Sequence, residues 1–291
     1  LVTPVLAGGG ADATVRMLAG KLSETFNQRV VVDNRPGASN IIGTDIVAKA
    51  TPDGYTILWV SSTHAINAGV RKGKLPFDPL TDFAPITLFA KIPFILVVHP
   101  SLPVKSVPEM IALARKNPEQ LSYSHPGAGN SGHLAGELFN SMAKVKILAV
   151  PYKGTAPAGI AVLSGEVQLT FSSIPTVLPH VRAGRLRALG VGNAERVPSL
   201  PEFPTISESG LKGYEAYAWG GMLAPAGTPK EIVARLNKET VASIRMKEIS
   251  DQLLKEGTVP TPSSPEEFGA YIKTEIDKWG AVVRMANIKG E

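Results

Sequence analysis

The chain has 291 residues, 44% of them hydrophobic and 19% charged, with a net charge of +5 and no cysteine. That balance suits a folded chain with a sizeable core and argues against disorder, while the missing cysteines exclude disulfide frameworks, thiolate nucleophiles and cysteine-bound zinc. No apolar run approaches the roughly 18 residues of a membrane-spanning helix, and the densest basic group (Arg71, Lys72, Lys74) lacks the basic helix or interleaved aromatics of a nucleic-acid surface.

From the N-terminus, "LVTPVL" reads as a strand and "GGG" as a turn, with no export signal visible; any targeting segment is expected to have been removed or never to have existed. Val15, Leu18, Ala19, Leu22 and Phe26 then recur on one helical face. "RVVVD" reads as a buried strand, residues 41–50 as a short helix and "YTILWV" as another strand. The middle repeats the alternation: helix 106–116, strand "LSYS", a glycine turn, helix 131–143, strand "ILAVPY", helix 156–164, strand "VQLTFS", a helical turn near 175–183 and strand "LRALGV". Alternation of this kind predicts a parallel, doubly wound sheet. The last quarter is helical; Thr228-Pro229-Lys230-Glu231 and Ser264-Pro265-Glu266-Glu267 each predict a capping box with proline in the first turn. The extended segments 93–100 and 216–229 bracket the middle. If both cross between lobes, residues 1–98 plus 224–291 form one α/β lobe and 99–223 the other, with a hinged cleft.

One stretch raises a functional question. In "SYSHPGAGNSGHLAGELF", Gly127, Gly129 and Gly132 spell G-x-G-x-x-G between a strand and a helix. A dinucleotide site also needs an acidic residue about 20 positions on, where the chain reads "VPYKGTAP". A hydrolase elbow needs glycine where His133 stands, and Ser131 reads better as a helix N-cap. None of the five histidines, His64, His99, His125, His133 and His180, has zinc-ligand spacing with another. The remaining reading pairs this turn with a second one, "AGGGAD" at residues 7–12, which also joins a strand to an amphipathic helix. Each helix start offers unpaired amides and a positive dipole end to an anion. Tight connection alone is the plainer explanation for either turn; the pair, one per lobe, favours a small carboxylate.

At this point the chain resembles the Bug-type receptors, the extracytoplasmic solute-binding proteins of tripartite tricarboxylate transporters. The resemblance runs nearly end to end, through "AGGGADATVRMLAGKLSE", "VVVDNRPGASNIIGTDIVAKATPDGYTIL", "STHAIN", "LPFDPLTDFAPITL", "VPYKGTAPA", "LSGEVQLTFSSIPTVLPHVRAGRLRALGV", "LPEFPTISESG" and "APAGTPKEIVARLN". It implies an α/β, two-lobed periplasmic-binding (Venus flytrap) fold with two crossover strands, no catalytic residue, metal or cofactor, and a carboxylate ligand: a di- or tricarboxylate, an acidic amino acid or an aromatic acid. Implied partners are the membrane subunits of the transporter, with the receptor a monomer in the periplasm. In the family, one ligand carboxylate is held by both glycine loops through backbone amides and ordered water. Carried over, the first loop is Ala7, Gly8, Gly9, Gly10, Ala11 and Asp12, with Asp12 capping its helix or ordering water; the second is Pro126, Gly127, Ala128, Gly129 and Asn130, with His133 behind it. Ser61, Ser62, Thr63, His64 and Asn67 end a strand of the first lobe, and Ser172, Ser173 and Pro175 one of the second, as candidates for reading the rest of the ligand. Val5 and Ala11 depart from the aromatic and polar residues often found there, so no relative's specificity transfers. Two alternatives stay open: a sensor subunit signalling to a membrane kinase, and an α/β enzyme using Ser131 and His133.

Overall fold

The computed structural model describes residues 1–8 and 10–288. In chain order the elements are β1 (Val2–Thr3), α1 (Gly10–Phe26), β2 (Asp33–Asn34), α2 (Ile41–Ala48), β3 (Leu58–Ser61), α3 (Thr63–Val70), β4 (Phe83–Val98), α4 (Val107–Lys116), β5 (Ser122–His125), α5 (Ser131–Ala143), β6 (Leu148–Pro151), α6 (Thr155–Leu163), β7 (Leu169–Ser173), α7 (Ile174–Arg182), β8 (Arg187–Val191), β9 (Tyr217–Pro225), α8 (Lys230–Arg245), α9 (Lys247–Lys255), β10 (Val259–Pro260) and α10 (Pro265–Met285). No helix among the described residues is long and apolar enough to cross a membrane.

The chain divides into two compact α/β units. The first holds Leu1–Lys91, Trp219–Gln252 and Pro260–Gly280; the second holds Ile92–Ala218, Leu253–Val259 and the described residues from Ala281 on. The backbone passes from first to second inside β4 and returns inside β9; it then enters the second again inside α9, comes back within β10 and leaves once more inside α10.

In the first unit β1 lies parallel to β2 and β3, and β3 runs antiparallel to β9 with Leu58 opposite Leu223. Of the predicted stripe of α1, Val15, Leu18, Ala19 and Leu22 are buried and Phe26 is half-buried. An aromatic cluster closes the unit: Trp59 meets Phe89 edge-on at 5.2 Å, and Trp219 meets Phe268 at 5.7 Å. Within it lies a buried carboxylate, Glu275, whose Oε2 accepts from the indoles of both Trp219 (3.0 Å) and Trp279 (2.8 Å). Two indole N–H groups out of water require an acceptor, and α10 supplies it.

In the second unit β5 lies parallel to β6 and β7, and β4 is flanked antiparallel by β7 and β8, with Ile95 facing both Ser172 and Val191. On one face α5 packs so closely that a Cβ at Gly136 would come within 2.4 Å of the Tyr123 ring. Ile95, Val97, Val162, Ile174, Val177 and Val191 belong to the core of the other.

Several local expectations are corrected. "RVVVD" is not a buried strand: only Asp33–Asn34 pair, Val31 is exposed, and the segment forms the outer edge of its sheet. "STHAIN" is mostly a helix, α3, rather than a strand end. The N-cap of α5 is Asn130, whose Oδ1 accepts from Gly132 N at 2.9 Å, not Ser131. The box at Ser264 forms reciprocally: its amide donates to Glu267 Oε2 (2.8 Å) while its Oγ accepts from Glu267 N (3.2 Å). The one at Thr228 does not, because that hydroxyl turns back to donate to the Pro225 carbonyl at 2.7 Å and leaves Pro229 as the cap.

Candidate functional site

The first glycine turn leaves the carboxyl end of β1 and enters α1. Gly8 has φ +85°, a backbone conformation that favours glycine, and Ala7, Gly8 and Ala11 are exposed. Gly9 lies outside the described residues, and Gly10 opens the helix. Asp12, in the first turn, is buried and fully engaged: Oδ2 accepts from Gly8 N and from Arg16 Nε, both at 2.9 Å, and Oδ1 from Asn34 Nδ2 at 2.9 Å. Asn34 also donates to the Val5 carbonyl (3.1 Å) and accepts from Arg16 (2.8 Å). The Arg16 guanidinium, then the Gly8 amide and the Asn34 amide, hold the Asp12 carboxyl down at about 2. The carboxylate pins the turn to its helix.

The second turn leaves β5 and enters α5. Gly127 (φ +135°) and Gly129 (φ +69°) take conformations that side chains rarely adopt. Ala128 and Asn130 are exposed, with Pro126 half-buried. Gly129 N donates to His133 Nδ1 at 3.1 Å, and His133 stacks on His125 with ring centroids 4.1 Å apart and planes 10° apart. His125 Nδ1 sits 2.9 Å from the Gly127 carbonyl. Burial first, and His125 second, push His133 down to about 4; burial lowers His125 as well. Both rings are therefore neutral at pH 7. Ser131 is half-buried, and Gly132 is constrained by packing, since a Cβ there would approach the Phe171 carbonyl to 2.9 Å.

Of the distal candidates, Ser61, Ser172 and Ser173 sit at strand ends, whereas Thr63, His64 and Asn67 lie in α3 and Pro175 in α7. Ser61 ends β3, beside β1, and its Oγ accepts from Asn40 Nδ2 at 3.3 Å. Ser62 is buried, Thr63 half-buried, and buried Asn67 donates to the Ser39 carbonyl at 2.7 Å. His64 is packed among Phe77 and Phe83 with Nε2 at 2.8 Å from the Pro79 carbonyl, and burial lowers it to about 4. In the second unit Ser172 and Ser173 end β7, Ser173 Oγ lies 2.8 Å from Thr176 Oγ1, and Pro175 is exposed in the first turn of α7.

Three participants were not singled out from the sequence. Arg16 and Asn34 complete the Asp12 lock, and His125 completes the imidazole stack. The loop before α2 is a fourth element: Ala38, Ser39 and Asn40 all have positive φ. Such a run costs energy and persists where its surroundings fix it, here through Asn67 and Ser61.

Two α/β units joined through strands, each with a glycine turn at the carboxyl end of a strand opening a helix, are the architecture of two-lobed periplasmic-binding proteins. A family profile described as "Tripartite tricarboxylate transporter family receptor" matches residues 14–288. BugT of Bordetella pertussis is 33% identical over 99% of this chain and 89% of its own length. Among solved structures, R. palustris Rpa4515 with adipate superposes with a TM-score of 0.84 at 38% identity, covering 99% of this chain and 96% of that one. MatC (Rpa3494) from Rhodopseudomonas palustris with bound malate gives 0.79 at 30%, covering 97% of each. The chain belongs to the tripartite tricarboxylate transporter receptor family, whose members are solute-binding receptors.

Proposed function

We propose that this chain is a periplasmic receptor that captures a small dicarboxylate or related acid and delivers it to the membrane subunits of a tripartite transporter, working as a monomer and without catalysis. The two units are its lobes, and each contributes a glycine turn to recognition of a carboxylate. The first turn offers Ala7, Gly8, Gly9, Gly10 and Ala11, with Asp12 beneath; the second offers Pro126, Gly127, Ala128, Gly129 and Asn130, with His133 beneath. Ser61, Ser62, Thr63, His64, Asn67, Ser172, Ser173 and Pro175 line the rest.

The observation that carries this reading is a shared lock. In both turns a glycine amide donates to the side chain four residues on, Gly8 to Asp12 and Gly129 to His133. Each turn is thereby fixed to the start of its helix, where amide dipoles favour an anion. Adipate and malate in the related structures support the ligand class. A non-catalytic role is supported by the engagement of His133 Nδ1 with a backbone amide, which competes with any activation of Ser131 through that atom.

Calorimetric titration with adipate, malate, citrate, glutamate and benzoate tests the proposal; binding of none of them sinks it. Gly129→Val is expected to abolish binding of whichever acid binds, because a branched side chain obstructs the anion and opposes φ +69°. Ser131→Ala is expected to retain most affinity, since the amides remain; wild-type affinity in Gly129→Val places the ligand elsewhere.

A further inference from the structure

We propose that His133 couples carboxylate binding at the second glycine turn to the uptake of one proton by the His125–His133 pair. This rests on the reading of that turn as an anion site. Because Gly129 N–H donates to Nδ1, the His133 ring is neutral and carries its proton on Nε2. A proton arriving from solvent at Nδ1 destroys that acceptor. The Gly129 amide is then released, and an imidazolium N–H stands next to it, so the turn gains two donors and a positive charge.

Without an anion, that state is opposed by burial and by the ring of His125 stacked 4.1 Å away. With an anion accepting from the freed amide, the opposition is relieved. Proton and carboxylate thus each favour the other's binding, a reciprocal linkage. The stacked pair takes up one proton rather than two, because two like charges at that distance repel strongly.

The other ionisable groups around His133 leave this logic intact. Tyr123 on β5 donates its hydroxyl to Glu137 Oε1 (2.7 Å) and to the His133 carbonyl (3.1 Å), and burial raises its pKa, so it stays neutral. Tyr214 donates to the Ala135 carbonyl (2.9 Å) and is likewise raised by burial. Glu137, one turn along α5, is engaged by Tyr123, and its carboxyl is raised by burial. Phe171 on β7 meets Tyr123 edge-on at 6.0 Å and adds no charge. His125 is the one group among these that shares the proton.

The first turn cannot do the same, since its acceptor is a carboxylate already satisfied by Arg16 and Asn34. His133 is accordingly a positioning residue that makes one of the two turns responsive to pH.

The test is titration of the full chain with malate and with adipate at pH 6.0 and 8.0, each in two buffers of different ionisation enthalpy. Proton uptake near zero at pH 8.0 that rises towards one per ligand at pH 6.0 is expected, with affinity increasing by about three- to tenfold. Binding without uptake at either pH overturns the inference while leaving the receptor reading standing; no binding at any pH overturns both. His133→Asn keeps an acceptor near the position of Nδ1 but has no proton to gain, and is expected to erase the uptake at whatever affinity it retains; persistent uptake overturns the assignment. Should that variant fold poorly, NMR titration of the wild-type histidines decides. Malate is expected to raise the apparent pKa of the pair by about two to three units, and an unmoved pair overturns the proposal.

Discussion

The two glycine turns have the same backbone plan and opposite chemistry beneath it. In each, a glycine amide donates to a side chain four residues on, in the first turn of the following helix. In the first unit that acceptor is Asp12, ionised down to about pH 2 and neutralised by Arg16. In the second it is His133, neutral and stacked on another neutral imidazole. The difference teaches that fixing a turn and setting its charge are separable tasks. An acid with a built-in counter-ion gives a turn whose electrostatics are constant across physiological pH; an imidazole gives the same geometry with a charge that can change.

The largest expected effect breaks this symmetry with acid. His133 is depressed from the ordinary histidine value to about 4, so the unfolded second unit binds the proton more readily than the folded one. The stability this provides is fully present above about pH 6.5 and is lost as pH falls towards 4, about 3 kcal/mol at pH 4 from this group alone. Asp12 behaves in the lower window: its contribution is present above its unfolded value near 4 and is lost only as pH falls through about 2. Hydrogen exchange read separately on α5 and α1 at pH 7 and pH 4, corrected for intrinsic rates, is expected to show protection falling in α5 well before α1. Equal losses in both helices would mean that the imidazole stack has no special part in the second unit.

Next in size is removal of the acidic lock. Asp12→Ala leaves the Gly8 amide and the Asn34 amide without their acceptor and Arg16 without its counter-charge. Hydrogen bonds to a charged group of this kind are strong, and the turn they hold is expected to loosen. Carboxylate affinity is expected to fall by about ten- to hundredfold at pH 8, with a lowered melting temperature. Calorimetry on the variant checks the first and thermal denaturation the second. Unchanged affinity would show that Asp12 serves the fold of the helix start and nothing at the turn.

Much of this plan is legible in the sequence, and what is not has identifiable causes. Strand–helix alternation and the buried stripe of α1 follow from apolar spacing, because period alone decides which face meets the core. The box at Ser264 is legible because every atom it needs is local. The similar string at Thr228 misleads because a competing local acceptor, the Pro225 carbonyl, captures the hydroxyl first. "RVVVD" has the composition of a central strand, but composition does not say whether a strand is flanked on both sides, and this one is at an edge. Glu275 is the clearest limit: on a helix a glutamate reads as solvent-facing, and only the arrival of Trp219 from 56 residues earlier makes it the acceptor for two buried indoles. At the candidate site, the glycines announce the turns. The partners that lock them, Asn34 onto Asp12 and His125 onto His133, are brought in by the parallel neighbour strand and by the strand before the turn.

The smallest effect asks whether the second turn depends on its cap as well as on its imidazoles. Asn130 Oδ1 accepts from Gly132 N at 2.9 Å, and Asn130 N in turn donates to the Gly127 carbonyl at 3.3 Å, so one residue closes the turn and starts the helix. Asn130→Ala is expected to lower stability by about 1 kcal/mol, the ordinary cost of losing a side-chain cap. Ser131→Ala, one residue on and already inside the helix, is expected to change it by no more than a few tenths. Urea denaturation of both variants beside wild type resolves the pair. A larger loss for Ser131→Ala would reverse the assignment of the cap. A loss for Asn130→Ala that grows below pH 6 would instead tie the cap to the charge state of the His125–His133 pair, because a protonated His133 no longer holds the Gly129 amide and leaves the cap to fix the turn alone.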